Sequence, residues 1–155
     1  LDKNKDFSNI VFESLAKISE DTNIIITLPN ADAEGDLYRN SMIKLSKLYS
    51  NKISIVENFG RENYFSAMQN ASMMIGNTSS GILESASFKK YVINVGDRQK
   101  GRLKNKNVFD VPFSKDKIVQ KYHSIKKLAE YSGKNIFFKK NTAQKIIETI
   151  KNYHV

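Results

Sequence analysis

The side chains best suited to ligand binding are concentrated in residues 73–102. Three hydroxyl residues, Thr78, Ser79 and Ser80, follow a Gly-Asn turn at a position where a helix should begin. Hydroxyls and unpaired backbone N–H groups at a helix start can bind phosphate. Glu84 follows about one helical turn later, within reach of the hydroxyls of a ribose attached to that phosphate. The same spacing also fits ordinary helix capping, in which Glu84 only favours the helix dipole.

A cationic loop follows in the same part of the chain. Asp97-Arg98-Gln99-Lys100-Gly101-Arg102 comes directly after the predicted strand Tyr91–Val95. Open α/β sheets bind ligands at the carboxyl ends of their strands, and arginine is well suited to anionic groups. A solvated charged loop is the alternative interpretation. The loop and the hydroxyl turn together predict an anion-binding site.

The hydroxyl turn is predicted to lie within a βαβ unit. The apolar run Met73–Ile75 indicates a buried strand that breaks at a Gly-Asn turn. Apolar positions between Ile82 and Phe88 indicate a short helix, and Tyr91–Val95 indicates the second strand.

The rest of the chain alternates between helical apolar spacing and short apolar runs. Helices are predicted over residues 7–18, 37–48, 64–71, 116–131 and 142–153, and strands over residues 23–28, 52–56 and 107–111. The alternation predicts a Rossmann-like α/β domain, in which a parallel sheet carries helices on both faces. Tyr64, Phe65 and Met68 have the spacing of core residues.

Composition limits the class of protein. A chain of 155 residues that is 40% hydrophobic and 26% charged can form one compact domain. The absence of cysteine excludes disulfides and thiolate chemistry, and the isolated His123 and His154 form no metal-ligand cluster. No apolar run approaches the roughly 20 residues of a membrane span, and the first residues lack the apolar core of a secretion signal. We therefore expect a soluble, cytoplasmic protein.

The net charge of +9 raises the possibility of nucleic-acid binding. The lysines are scattered through the predicted helices, and no alternation of basic and aromatic residues indicates a stacking platform. We expect no nucleic-acid partner. A non-catalytic basic module stays as an alternative, which salt-dependent binding to mixed DNA would favour.

Two segments resemble a known enzyme family. GNTSSGILE (residues 76–84) and INVGDRQKGR (residues 93–102) are similar to paired motifs of the hydrolysing UDP-N-acetylglucosamine 2-epimerases of sialic acid biosynthesis. LPNADA (residues 28–33) is similar to a third segment of that family. The resemblance extends over all 155 residues. It implies the carboxyl-terminal half of a glycosyltransferase-B architecture, whose active site lies between two domains and whose terminal helix helps to close the domain.

The resemblance also implies a set of residues that bind UDP. Thr78 and Ser79 correspond to phosphate-binding serines, Glu84 to a ribose-binding glutamate, and Arg98 to an arginine near the diphosphate. The other positions that match the UDP site are Asn30, Asp32, Phe59, Ser80, Gly81 and Arg102. No cofactor and no metal is implied. No catalytic residue is assigned to this chain, because the proton-transfer carboxylates of the family lie in the amino-terminal half.

The whole enzyme implied by the resemblance eliminates UDP from UDP-N-acetylglucosamine, hydrates the glycal and releases N-acetylmannosamine. Its partners would be the UDP-sugar, its own amino-terminal domain and further copies of itself. We expect this chain alone to be inactive, and we expect a strand from before residue 1 to lie between Ile24–Leu28 and Met73–Ile75.

Three departures from the family pattern and two alternative activities stay open. Thr78 replaces a serine, Glu34 a glycine, and Lys89-Lys90 stands where Gly-x-Pro is typical. A related epimerase acting on a UDP-diacetamido-trideoxyhexose in legionaminic acid synthesis would have the same motifs. A glycosyltransferase of the same architecture would share the hydroxyl turn and the glutamate but is not expected to carry the Asp97–Arg102 loop.

Overall fold

The computed structural model describes residues 2–28 and 35–153, and its elements alternate as predicted. In chain order they are α1 (Asp2–Ser19), β1 (Ile24–Thr27), α2 (Gly35–Leu48), β2 (Ile53–Val56), α3 (Gly60–Asn70), β3 (Met73–Gly76), α4 (Ser79–Leu83), β4 (Tyr91–Val95), β5 (Val108–Val111), α5 (Lys115–Lys126) and α6 (Thr142–Lys151). A 3-10 turn, Ser85–Phe88, directly follows α4. No helix in this part of the chain has the length and apolarity needed to cross a membrane.

The strands form two parallel sheets. β1 pairs with β2, and β3, β4 and β5 form the second sheet in that order. The sequence predicted a single sheet, with a further strand between β1 and β3. Among residues 2–28 and 35–153, no ladder joins β1 to β3. The sheet is therefore interrupted at the position where the further strand was expected.

Two apolar clusters hold the helices against the strands, and α1 contributes to both. Ile18 belongs to the cluster that contains Ile93 of β4 and buried residues of α5. Leu15 belongs to the cluster that contains Leu45 of α2. Ile24 of β1 is half-buried against both clusters. The apolar spacing of the first helix thus serves two cores rather than one.

The aromatic residues of α3 are placed largely as predicted. Met68 is buried, whereas Tyr64 and Phe65 are half-buried. The Phe65 ring stacks on Phe88 of the 3-10 turn, with 5.4 Å between ring centroids. α3 therefore supports the segment that follows α4.

α5 is shorter than predicted because Tyr131 leaves the helix to enter the core. The helix ends at Lys126, not at Tyr131. Tyr131 is buried, its N–H donates to the Lys89 carbonyl at 3.2 Å, and its ring meets Tyr91 edge-on at 5.8 Å. Apolar burial overrides the helical spacing of residues 127–131.

Asp21, just after α1, connects that helix to α5. Its carboxylate accepts hydrogen bonds from Lys126 at 2.6 Å and from the Tyr122 hydroxyl at 3.3 Å. The hydrogen bond from Lys126 lowers the pKa of Asp21 below its ordinary value. His123 is exposed beside this group, as predicted, with Nδ1 at 3.9 Å from Asp21.

α6 is amphipathic, as predicted, but it buries none of its residues against the described part of the chain. Ile146, Ile147 and Ile150 are between 47% and 68% exposed. The implied closing contact of the terminal helix is therefore not made within residues 2–28 and 35–153.

Candidate functional site

The hydroxyl turn and the cationic loop lie at the same edge of the second sheet. β3 and β4 are parallel, and Gly76 is in register with Asn94. The turn starts directly after Gly76, and the loop starts directly after Val95. Their predicted proximity therefore follows from strand register. Gly96 permits the sharp change of direction, because its φ is +79° and a Cβ there would lie 2.3 Å from the Phe113 ring.

Thr78 caps the short helix α4. Its backbone is extended, and its Oγ1 accepts a long hydrogen bond from the Gly81 N–H at 3.4 Å. Thr78 and Ser79 are both exposed residues at the sheet edge. Threonine, where the family has serine, therefore keeps a hydroxyl on an exposed residue.

Gly81 has a packing role in the structure. It is buried, and a Cβ at this position would lie 3.0 Å from Val92 Cγ1 on β4. A side chain at this position would press on Val92, so glycine favours the close approach of α4 to the sheet. A ligand contact of Gly81 stays a prediction.

α4 contains only the five residues Ser79–Leu83, and Glu84 lies where it gives way to the 3-10 turn. A helix of one turn has a weak dipole, so Glu84 gains little stabilisation from it. This weakens the capping interpretation of Glu84. The Glu84 Oε2 atom is buried and has no hydrogen-bond partner among the described residues. Ser80 Oγ is buried and unpaired in the same sense.

The cationic loop is attached to the hydroxyl turn by Gln99. Its side chain is only 3% exposed, although Arg98 and Lys100 on either side of it are exposed. Gln99 Nε2 donates to the Asn77 carbonyl at 2.7 Å. Gln99 lies within the INVGDRQKGR segment, but neither its residue type nor its spacing indicates this contact.

The two arginines of the loop are accessible to a ligand. Arg98 and Arg102 are exposed, and neither forms a salt bridge with the residues that the structure describes. Lys104, just beyond the loop, instead bonds both carboxylate oxygens of Asp110 at 2.6 and 2.7 Å. The unpaired arginines are the cations best placed to bind an anion at this edge.

Asp110 fixes the far end of the loop to the sheet. Its Oδ1 accepts from Asn94 Nδ2 at 2.7 Å, across the β4–β5 ladder, as well as from Lys104. Partial burial raises the pKa of Asp110, but the hydrogen bonds from Lys104 and Asn94 outweigh it and leave the pKa below the ordinary value.

Three asparagines form hydrogen bonds to α4 and to the 3-10 turn that follows it. Asn107 Nδ2 donates to Ser85 Oγ at 2.8 Å, and Asn105 Nδ2 donates to the Ile82 carbonyl at 3.2 Å. Asn135 Nδ2 donates to the Leu83 carbonyl at 2.7 Å. No periodicity reveals such contacts, because they join residues that are far apart in the chain.

The remaining predicted site residues are placed less specifically. Phe59 is half-buried at the N-cap of α3, after a strand of the other sheet. Among the described residues, no hydrogen bond connects it to the turn at residues 77–81. Asn30 and Asp32 lie outside the described residues. The described part of the chain also holds no cluster of three or more His, Cys, Asp or Glu that could bind a metal ion.

A family model described as UDP-N-acetylglucosamine 2-epimerase matches residues 2–151. The chain belongs to this family. The match covers both motif segments, so the resemblance read from residues 76–84 and 93–102 is confirmed.

Similar curated proteins carry epimerase and polysialic acid names. The chain is 43% identical over 91 residues to GDP/UDP-N,N'-diacetylbacillosamine 2-epimerase (hydrolyzing) of Campylobacter jejuni, which is 59% of this chain and 24% of that protein. It is 33% identical over 132 residues to polysialic acid biosynthesis protein P7 of Escherichia coli. The matched residues are 80% of this chain and 32% of that protein. It is 35% identical over 116 residues to UDP-N,N'-diacetylbacillosamine 2-epimerase (hydrolyzing) of Legionella pneumophila. The matched residues are 74% of this chain and 30% of that protein.

A solved structure confirms the fold. UDP-GlcNAc 2-epimerase from Methanocaldococcus jannaschii superposes on 96% of this chain with a TM-score of 0.73 and 19% identity. The predicted class, an α/β domain of the glycosyltransferase-B type, is therefore correct. The superposition covers 42% of that structure, and this epimerase-family chain matches a third or less of the curated relatives' length.

Proposed function

We propose that this chain is the UDP-binding half of a hydrolysing UDP-sugar 2-epimerase. In this proposal, residues 1–155 form the carboxyl-terminal domain, and the amino-terminal domain and the first strand of the sheet lie outside them. Thr78 and Ser79 bind the diphosphate, Glu84 accepts the ribose hydroxyls, and Arg98 neutralises the diphosphate charge.

One observation carries the proposal. Four buried side-chain oxygens lack a hydrogen-bond partner within the described residues, and three of them belong to the two motif segments: Ser80 Oγ, Glu84 Oε2 and Gln99 Oε1. Buried polar groups are normally paired, and exceptions occur at functional sites. A ligand that brings hydroxyl donors would satisfy the Glu84 carboxylate, and UDP carries two of them on its ribose.

The site suits the loss of UDP as a leaving group. Elimination removes a proton from C2 of the sugar and breaks the bond between C1 and the diphosphate oxygen, so negative charge develops on UDP. The Thr78 and Ser79 hydroxyls and the Arg98 guanidinium can stabilise that charge. Water then adds to the glycal. The group that removes the C2 proton is assigned to the amino-terminal domain.

We propose UDP-N-acetylglucosamine as the sugar nucleotide, with N-acetylmannosamine as the product used for sialic acid and cell-surface polysaccharide. The polysialic acid name of the Escherichia coli relative favours this substrate. The name of the Legionella relative favours a second candidate, a UDP-diacetamido-trideoxyhexose, and the Campylobacter name gives GDP as well as UDP as the carrier of that sugar. The two candidates share UDP, so product analysis with both sugar nucleotides decides between them.

Titration with UDP, followed by amide chemical shifts, tests the nucleotide site. We expect saturable shifts at residues 77–81 and at Arg98, and Arg98→Met should weaken UDP binding about tenfold. Lys106→Met removes an exposed cation beyond the loop and should leave the affinity unchanged. Shifts confined to the Lys115–Lys126 helix, equal effects of the two substitutions, or tighter binding of GDP than of UDP would contradict the proposal.

A further inference from the structure

Gln99 is the buried exception in an exposed cationic loop. Its side chain is 3% exposed, whereas Asp97, Arg98, Lys100 and Arg102 are all exposed. Glutamine is rarely buried unless its amide has a structural or binding task. The cationic character of the loop therefore does not explain why the Gln99 side chain is buried.

The orientation of the Gln99 amide is fixed by its partner. Nε2 lies 2.7 Å from the Asn77 carbonyl oxygen, which can only accept a hydrogen bond. Nε2 must therefore be the donor, and Oε1 must point away from that carbonyl. Oε1 is buried and has no partner among the described residues. The amide nitrogen of Gln99 is thus hydrogen-bonded, whereas its oxygen is buried without a hydrogen bond.

The hydrogen bond joins the two halves of the site. Asn77 directly precedes the helix cap Thr78, and Gln99 directly follows Arg98. Other contacts also constrain the loop. Within it, the Lys100 N–H bonds Asp97 O at 2.8 Å and the Arg102 N–H bonds Gln99 O at 3.3 Å. Beyond it, Lys104 bonds Asp110 and Asn105 bonds the Ile82 carbonyl. None of these contacts connects Arg98 to the carboxyl end of β3. The Gln99 amide makes that connection.

From this geometry we infer that Gln99 is a positioning residue for the proposed diphosphate site. It holds the loop so that Arg98 faces the phosphate turn. A buried amide with one unpaired oxygen destabilises the fold. We therefore explain the burial of Gln99 by the way it places the loop at the site. This inference rests on the proposed function, because the anion that Arg98 faces is the diphosphate of UDP.

The test compares UDP with uridine, which lacks the diphosphate. Gln99→Met keeps the length of the side chain but removes the hydrogen bond, and it should weaken UDP binding about fivefold to tenfold while changing uridine binding less than about twofold. Gln120→Met makes the same chemical change at an exposed position on α5 and should change neither affinity. A purely structural role of Gln99 predicts equal losses for the two ligands, or none.

A second variant tests the hydrogen bond by pH. Gln99→Glu presents an ionised carboxylate to the Asn77 carbonyl at neutral pH and should lose UDP affinity. Burial raises the pKa of a carboxyl group, so lowering the pH to about 5 should protonate it and restore the O–H donor. The other ionisable groups on the joined segments, Glu84, Asp97, Arg98, Lys100 and Arg102, are the same in both proteins. The ratio of wild-type to variant affinity should therefore approach one as the pH falls.

The outcomes separate the two proposals. If the wild-type chain does not bind UDP, the proposed function fails. If it binds UDP and Gln99→Met binds UDP equally well, only the positioning role fails. If Gln99→Met does not fold, the Gln99→Glu ratio decides, and a ratio independent of pH overturns the role. Additive losses in Gln99→Met and Arg98→Met would overturn it as well, since a positioning residue should have no effect once Arg98 is gone.

Discussion

Glu84 is the residue at which the ligand-binding and capping interpretations differ most. Its short helix offers little dipole, and one of its carboxylate oxygens is buried without a partner in the described part of the chain. A group in this environment gains from a hydroxyl donor. The structure thus favours a ligand role over a capping role, although the spacing in the sequence fitted both.

We predict that Glu84→Gln weakens UDP binding about tenfold or more, because each hydrogen bond to a charged group contributes roughly 1.5–3 kcal/mol. UDP lacking the 2′-hydroxyl should already have lost part of this energy. The two changes should therefore be non-additive in calorimetric titrations. The control is Glu62→Gln, which neutralises a carboxylate in the first turn of α3 and should not affect UDP. Equal UDP affinities of the wild type and Glu84→Gln would remove Glu84 from the site.

At the scale of the elements, the βαβ unit is positioned by contacts made far along the chain. The cross-strand bond from Asn94 to Asp110 and the ion pair from Lys104 to Asp110 fix the loop at the β4–β5 ladder. Asn105, Asn107 and Asn135 hold the α4 segment. The base of the site is therefore held by hydrogen bonds to distant segments, while Arg98 and Thr78 are exposed at its mouth.

The Asp110 contacts predict a pH dependence of stability. The pKa of Asp110 is lowered from 3.8 in the folded chain, so its contribution is fully present above about pH 4 and is lost as the pH falls through the folded-state pKa. Its side chain is 58% exposed, so we expect less than about 1 kcal/mol.

Urea denaturation of the wild type and Asp110→Asn at pH 7 and pH 2.5 measures this contribution. The variant should be less stable at pH 7, and the difference should shrink at pH 2.5. Lys104→Met removes the same ion pair, so adding it to Asp110→Asn should cost little more. A difference between the wild type and Asp110→Asn that is the same at both pH values would rule out the ionised contacts as its source.

At the scale of the whole molecule, several surfaces of the described chain are open where an α/β domain normally covers them. β1 and β3 are joined by no ladder in the described residues, and Ile25 of β1 is 60% exposed. α6 leaves its apolar face uncovered by the same part of the chain. These surfaces support our proposal that a further strand and an amino-terminal domain complete the enzyme.

We predict that the 155-residue chain binds UDP but does not turn over a UDP-sugar. The proton-transfer groups and one wall of the cleft are assigned to the amino-terminal domain. Incubation with UDP-N-acetylglucosamine, followed by chromatography of the free sugars, should detect no N-acetylmannosamine. UDP binding by the same preparation controls for folding. Release of N-acetylmannosamine in proportion to the concentration of the chain, abolished by Glu84→Gln, would contradict this prediction.

The sequence by itself determined the class of the fold and the family, and it predicted the place of the site. Apolar runs located each described strand to within one or two residues. β4 is buried along most of its length, as expected of a parallel sheet, whereas no residue of β1 or β3 is buried. The motif at residues 76–84 and the loop at residues 97–102 predicted the site, because strand ends and hydroxyl turns are local features. These features depend on neighbours in the chain, which the sequence displays directly.

The tertiary structure decided what depends on residues far apart in the chain. It separated the strands into two sheets, shortened α5 so that Tyr131 could be buried, and left α6 exposed. It also gave Gly81 a packing role against Val92 and placed the Gln99 amide against Asn77. Each outcome is a competition for burial or for a hydrogen-bond partner, and its result is fixed only when distant segments occupy the same space.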